Sequence, residues 1–366
     1  MGWLVGISSR TERSLKSWGV QAVTISVVQW TTGSVASNAV RAVVADPRLE
    51  LVGAYAWSDE KVGKDLGELV GLEPLGITAT NDVDALIALK PDVVLYMPLL
   101  WDVDQMIQLL EAGINVISTA NFVTGHSYGA EQMNALHRAA ESGGASLYGT
   151  GINPGLASAL ALTAAGGTRN LERISIWEAA DCSSYESKET WEALGYSLAP
   201  DTEGLEAMAK ARQLVFMDAV EMMAMALGVE LDEVQYRLEL GLATEDIDLG
   251  FMQIPKGTVC GQNGVWTGIY QGRPFIEIGL LWRLGDAMEP NWNIDGEGHV
   301  IEVVGTPSFR LHSEILRPAQ PGPLDFTGET AHAAVNAITS VVGARAGLVT
   351  LIDLPLVTAG SVRTDR

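Results

Sequence analysis

Residues 23–37, VTISVVQWTTGSVAS, carry the reading on which the rest depends. Val23 to Trp30 is an uncharged, mainly apolar run rich in β-branched residues, the pattern of a strand buried on both faces. Thr31-Thr32-Gly33-Ser34 is a turn. From Val35 apolar residues recur at helical spacing as far as Asp46-Pro47, where the residue before proline leaves the helical basin.

The alternation continues outward. LELVGAYAW (49–57), DVVLYMP (92–98), NVIST (115–119) and ASLYGTG (145–151) read as strands. Helices fall between them: one capped by Asn81-Asp82 and stopped before Pro91, one over 102–113, one over 129–144. Strands alternating with helices imply βαβ units, and right-handed crossovers turn those into a doubly wound parallel sheet. The first turn then lies where a Rossmann fold keeps its G-x-G-x-x-G/A motif. Gly33 takes the middle position and Ala36 the third, while Thr31 stands where the first glycine would be.

After Leu171 the pattern changes. RISIWEAAD (173–181) is a strand and Leu205–Leu227 reads as one long Met- and Ala-rich helix. Two strand-rich stretches follow, 258–284 and 299–315, the first turning at Gln271-Gly272. RPAQPGPLDF (317–326) is a connector, 327–347 a last helix and LVTLIDLPLV (348–357) a last extended segment. The expected class is α/β: an N-terminal Rossmann sheet with a second α+β domain carrying a mostly antiparallel sheet. The expected divisions are an extension at 1–22, a dinucleotide-binding domain at 23–160, a substrate and dimerisation domain at 161–324, and a segment at 325–366 returning to the first domain.

Composition narrows the function. Of 366 residues, 23 are Lys or Arg and 45 Asp or Glu, a net charge of −22, which argues against nucleic acid or anionic membrane as partners. Residues 1–160 hold 16 acids against 9 bases, and 161–366 hold 29 against 14, so the excess lies in the second half. Cys182 and Cys260 suit two free thiols in a reducing cytoplasm. The uncharged stretch from Ser142 to Thr168 is broken by Gly143, Gly144, Gly149, Gly151, Pro154 and Gly155, which favours strand, turn and helix over a membrane span. The first residues put an apolar patch before their bases, the reverse of a secretory signal, and read as an extension. No spacing suggests a metal site.

The turn places Thr31, Thr32, Gly33, Ser34 and Val35 around a pyrophosphate, with Ser37 a further hydroxyl donor. Strand two ends Trp57-Ser58-Asp59 with no acid at its tip, and Lys61 and Lys64 follow. That favours NADP(H), through Ser58 and Lys61; Asp59 keeps NAD(H) open. Strand ends bring Met97, Pro98, Asn121 and Asn153 to the nicotinamide side.

The chain resembles the dihydrodipicolinate-reductase-like oxidoreductases, in the branch of 2,4-diaminopentanoate dehydrogenase and the native amine dehydrogenases. VVQWTTGSVAS (27–37), VGAYAWSDEKVGKDLGEL (52–69) and GTGINPG (149–155) carry the likeness. DCSSYESKETWEALGY (181–196), GTVCGQNGVWTG (257–268), HAAVNAI (332–338) and DLPLVTA (353–359) extend it across about residues 23–362. It implies hydride transfer between NAD(P)H and a carbonyl or imine carbon, on a homodimer. The chain lacks the His-rich motif of the true reductases. It also has Asn121 where the amine dehydrogenases place a catalytic Glu.

The candidate catalytic residues are Asp181, Asn121, His126 and Tyr185: Asp181 to hold an ammonium or iminium or act as base, His126 and Tyr185 to donate protons. Trp101, Phe122, Thr330, His332 and Asn336 complete the expected substrate pocket, the last two being four apart on one helical face. Three activities remain open: reductive amination of a small ketone or aldehyde with ammonia, reduction of a carbonyl or imine without ammonia, and dinucleotide sensing without turnover.

Overall fold

The computed structural model describes residues 24–99, 101–120, 122–292, 298–316 and 327–360. The extension at 1–22, Asn121 and the 317–326 connector lie outside the described residues.

The first sheet holds β1 (Ile25–Trp30), β2 (Leu49–Tyr55), β3 (Ala79–Thr80), β4 (Val93–Tyr96), β5 (Asn115–Ser118) and β6 (Ser146–Gly149). Between its strands run α1 (Ser34–Ala45), α2 (Leu66–Leu69), α3 (Val83–Ala88), α4 (Val103–Glu111) and α5 (Ala130–Gly143). The order is 3-2-1-4-5-6, parallel throughout, the doubly wound Rossmann arrangement. Val27, Val28, Val93 and Val116 are wholly buried, as two-faced burial requires. Asp46 ends α1 in an extended conformation, and the Asp82 carboxylate caps α3 by accepting from Ala85 N at 3.0 Å.

α6 (Ala157–Ala165) leads into the second sheet, made of β7 (Arg169–Asp181), β8 (Glu233–Ala243), β11 (Val259–Tyr270), β12 (Arg273–Arg283), β13 (Met288–Glu289), β14 (Gly298–Thr306) and β15 (Phe309–Glu314). β9 (Ile247–Asp248) and β10 (Gln253–Ile254) form a separate small hairpin. The order is 13-8-11-12-7-14-15, antiparallel except where β12 meets β7. Gln271 and Gly272, at φ 51° and 70°, make the tight turn between β11 and β12.

α7 (Lys188–Leu194), α8 (Leu205–Arg212) and α9 (Leu214–Ala226) complete this half. The single helix expected over 205–227 is two, broken at Gln213 (φ −108°, ψ 12°). The Gln213 side chain is buried over Gly264 and accepts from the Tyr236 hydroxyl at 3.3 Å, so the chain bends to seat it. α9 then lays Phe216, Val220 and Met223 on the sheet, against Trp266, Ile276 and Ile278. In β8, EVQYRLEL alternates sides residue by residue, the signature of a half-buried strand.

α10 (Gly328–Val342) lies against α1, with Ala334, Ile338 and Val341 in the same core as Val27, Leu95 and Ile117. β16 (Gly347–Val349) adds a seventh parallel strand beside β6. The extended segment expected over 348–357 stops at Val349, because Asp353 folds the chain back by accepting from Thr350 N at 2.8 Å. Among the described residues no helix is long and apolar enough to cross a membrane.

One loop after β2 gives a pH prediction. The Asp65 carboxylate accepts from the backbone N–H groups of Leu75, Gly67 and Gly76 at 2.7–2.9 Å. The bond from Leu75, with the others, holds its pKa below the ordinary aspartate value. A depressed folded pKa contributes stability above the unfolded value near 3.9, lost as pH falls through the folded one. Asp65→Asn is therefore expected to lower Tm at pH 7 and to approach the unsubstituted protein near pH 3 in thermal scans. A constant gap across that range would show that the charge is not what holds the loop.

Candidate active site

The turn after β1 has a backbone unusual for its residues. Thr31 adopts a left-handed conformation, φ 77°, that a β-branched side chain disfavours by about 1–3 kcal/mol. Two hydrogen bonds hold it there: Thr31 N donates to the Tyr55 carbonyl at 3.0 Å, and Thr31 Oγ1 to the Met97 carbonyl at 2.9 Å. This is how the turn dispenses with the first glycine. Lys61 Nζ donates to Thr32 Oγ1 at 3.0 Å, which brings a cation to the turn from the loop after β2. Gly33 has ordinary extended torsions, and a Cβ built there would meet nothing within 4 Å. The Ser37 hydroxyl donates back to the Gly33 carbonyl at 2.9 Å, so that donor is spent inside the helix.

A cleft of about 680 Å³ opens here. Gly33, Ser34, Val35 and Ala36 line one end, Met97, Pro98, Leu99, Thr119 and Ala120 the strand tips, and Thr327 the far side. Ser184 to Ser187, in the loop leaving β7, close it from the second sheet.

Tyr185 belongs also to a second cavity of about 230 Å³, below the ~300–1,000 Å³ of drug-sized sites. Its walls are mostly apolar, among them Ile152, Ala180, Cys182, Trp191, Leu194, Trp282 and Ile315. Trp191 packs edge-on to Tyr185, and its indole N–H donates to the Tyr185 carbonyl at 2.9 Å. Burial pushes the Tyr185 hydroxyl pKa up, so it stays protonated at neutral pH.

Besides Tyr185 and Thr190, the polar side chains at this cavity are Glu178, His299 and Glu329. Glu178 Oε2 accepts from Asn153 Nδ2 at 2.8 Å and lies 3.2 Å from His299 Nε2; Oε1 accepts from Trp282 Nε1 at 2.8 Å. Burial alone would raise the carboxyl pKa, but His299, Asn153 and Trp282 outweigh it and hold the group below the usual glutamate value. Asn153 Oδ1 is buried without a hydrogen-bond partner.

The expected site residues divide sharply. Gly33, Ser34, Val35, Met97, Pro98 and Tyr185 line the cleft, Thr31, Thr32 and Lys61 hold the turn beside it, and Asn153 reaches the cavity only through its hydrogen bond to Glu178. Ser58 lies half-buried just beyond β2, and Thr330 Oγ1 accepts from Ile152 N at 3.4 Å beside the cavity. The others lie elsewhere. Asp181 is three residues past Glu178 on one strand and so faces the opposite side, where it accepts from Ser183 Oγ at 2.6 Å and lies 3.5 Å from Arg283 Nε. His126 pairs with Glu221 at 3.1 Å on α9. His332 is exposed, and Asn336 accepts from Gly360 N at 2.9 Å. Trp101 and Phe122 pack into the Rossmann core.

The reading of residue types missed Glu178 and His299. Ile174, Ile176 and Glu178 share one face of β7, and His299, Ile301 and Val303 one face of β14. An acid and a histidine, each in an apolar series and opposite one another in register, were the available signal.

Residues 157–365 match the family model of the 2,4-diaminopentanoate dehydrogenase C-terminal domain. An amine dehydrogenase of Streptomyces virginiae is 29% identical over 350 residues, 91% of this chain and 96% of that one. The 2,4-diaminopentanoate dehydrogenase of Acetoanaerobium sticklandii is 26% identical over 260 residues, 69% and 70% of the two. The solved amine dehydrogenase of Mycobacterium smegmatis superposes with a TM-score of 0.76 at 20% identity, over 91% of this chain and 97% of that one.

Proposed function

The chain belongs to the 2,4-diaminopentanoate dehydrogenase C-terminal-domain family and is an oxidoreductase of the amine-dehydrogenase kind; on that premise we propose that it interconverts a small ketone or aldehyde plus ammonia with a primary amine, using NADP(H). The observation that carries the reading is the shared wall at Tyr185, which joins the cleft of about 680 Å³ at the α1 N-terminus to a small, mostly apolar cavity bordered by a carboxylate. In this reading α1 presents its first amides to the pyrophosphate, and Gly33 leaves room for it. Ser58 and Lys61 take the 2′-phosphate, and the exposed Trp57 ring beside them offers a face to the adenine. Asn153 and Tyr185 border the reacting end. The bound dinucleotide supplies the hydride, while the protein supplies position, electrostatics and exclusion of water. The enzyme is proposed to act in the cytoplasm as a homodimer.

The test follows NADPH oxidation with a panel of small ketones and aldehydes, with and without ammonium. Oxidation that requires ammonium is expected, and slower oxidation of NADH. Rates indifferent to ammonium would instead give a carbonyl reductase, and binding without turnover a sensor.

A further inference from the structure

We propose that Glu178 is the counter-ion of the substrate nitrogen: it binds the amine as its ammonium and opposes the positive charge of the iminium. This rests on the carbon–nitrogen reading above and assigns its central charge to a residue on β7.

Three side chains from different parts of the chain converge on this one carboxylate: Asn153 from the turn after β6, Trp282 from β12 and His299 from β14. They fix its position and leave it bordering a cavity whose other walls are mainly hydrocarbon. Asn153 Oδ1, buried and without a hydrogen-bond partner, is a second acceptor beside it. Among the described residues no Lys or Arg lines this cavity, and the Glu178 carboxylate borders it with the His299 imidazole 3.2 Å behind it. A buried charge acts at low effective dielectric, where its attraction for an opposite charge is several times that in water.

The chemistry makes the sign of that charge decisive. Ammonia adds to the carbonyl carbon, forming the C–N bond; the C=O pair passes to oxygen, which takes a proton from the same nitrogen. The hydroxyl then leaves as water, using the proton released when ammonium became ammonia, and the carbon–nitrogen pair becomes a cationic iminium. Hydride from the reduced dinucleotide completes the C–H bond, and the π pair returns to nitrogen. Direct carbonyl reduction builds negative charge on oxygen instead. A fixed carboxylate stabilises the first path and opposes the second. His299, Asn153 and Trp282 are positioning residues that hold Glu178.

Binding to the unloaded protein tests the assignment without catalysis. n-Butylammonium and uncharged 1-butanol are titrated by calorimetry and by the fluorescence of Trp191 and Trp282. The unsubstituted protein is expected to prefer the cation at least tenfold, and Glu178→Gln to abolish that preference while leaving 1-butanol affinity within twofold. Equal affinity for the two probes in the unsubstituted protein would overturn the proposal, whatever the variant does. In turnover, Glu178→Gln is expected to lose at least a hundredfold in ammonium-dependent kcat/KM, with dinucleotide affinity kept within twofold. His299→Gln is expected to raise the KM for ammonium more than it lowers kcat. Ammonium-dependent turnover that survives Glu178→Gln would sink the assignment alone. Absence of any ammonium-dependent turnover in the unsubstituted enzyme would sink the broader reading, while the binding titration still decides whether Glu178 selects a cation.

Discussion

Gly33→Val is expected to leave the fold intact and to lose the dinucleotide. Gly33 sits at φ −78° and ψ −171°, torsions open to any residue, and a Cβ there meets nothing within 4 Å. Neither conformation nor packing therefore demands glycine, and surface-type substitutions of this kind usually stay within ~0.5 kcal/mol. The space that valine fills is the end of the cleft above the α1 N-terminus, where a pyrophosphate would approach the backbone. At 100 times Kd a ligand stabilises the native state by about 2.7 kcal/mol. The unsubstituted protein should show a rise in Tm of that origin with NADPH. The valine variant should melt at the same temperature without ligand and shift by less than a fifth as much with it. An equal NADPH shift in both proteins would place the pyrophosphate elsewhere.

Asp218→Ala is expected to cost the most stability. Asp218 is wholly buried in α9, and its carboxylate accepts from Gly125 N at 2.6 Å and Ser127 N at 2.9 Å. These two bonds tie the loop after β5 to the helix that packs on the second sheet. Hydrogen bonds to a charged group are worth about 1.5–3 kcal/mol each, and removal strands both donors, so a loss of about 3–5 kcal/mol follows. Urea unfolding would measure it, with Asp218→Asn losing roughly half as much because one carbonyl oxygen remains. A loss under ~1 kcal/mol would show that water replaces the carboxylate. Because the same loop begins at the cleft-lining Ala120, the alanine variant is also expected to bind NADPH more weakly.

The fold was legible where the sequence speaks through local physics. The run from Val23 to Trp30, the Asp46-Pro47 stop, the Asp82 cap and the Gln271-Gly272 turn each depend on residues within a few positions. So the parallel sheet and the β11–β12 hairpin could be read directly. Gln213 could not, because the reason for the break is Gly264, 51 residues away in sequence and directly beneath it in space. The site divides in the same way. Thr31 to Val35 announce themselves by sitting between a strand and a helix. Glu178 needs partners from β12, β14 and the turn after β6, and no local pattern brings those together. Asp181 stands out in the sequence because it ends a strand beside polar residues. An offset of three sends Asp181 and Glu178 to opposite faces of β7, and of the two only Glu178 borders the cavity.

The return of α10 to the first sheet has a consequence for synthesis. Its Ala334, Ile338 and Val341 cover Val27, Leu95 and Ile117, and Thr327 just before it forms part of the cleft wall. Between 217 and 314 residues separate those partners, so a chain still on the ribosome leaves one side of the Rossmann sheet bare until α10 emerges. Folding domain by domain during translation is the usual course for large chains. Here the nascent N-terminal half has to wait, with an apolar layer open to chaperones, and the nucleotide cleft is finished only once α10 has docked.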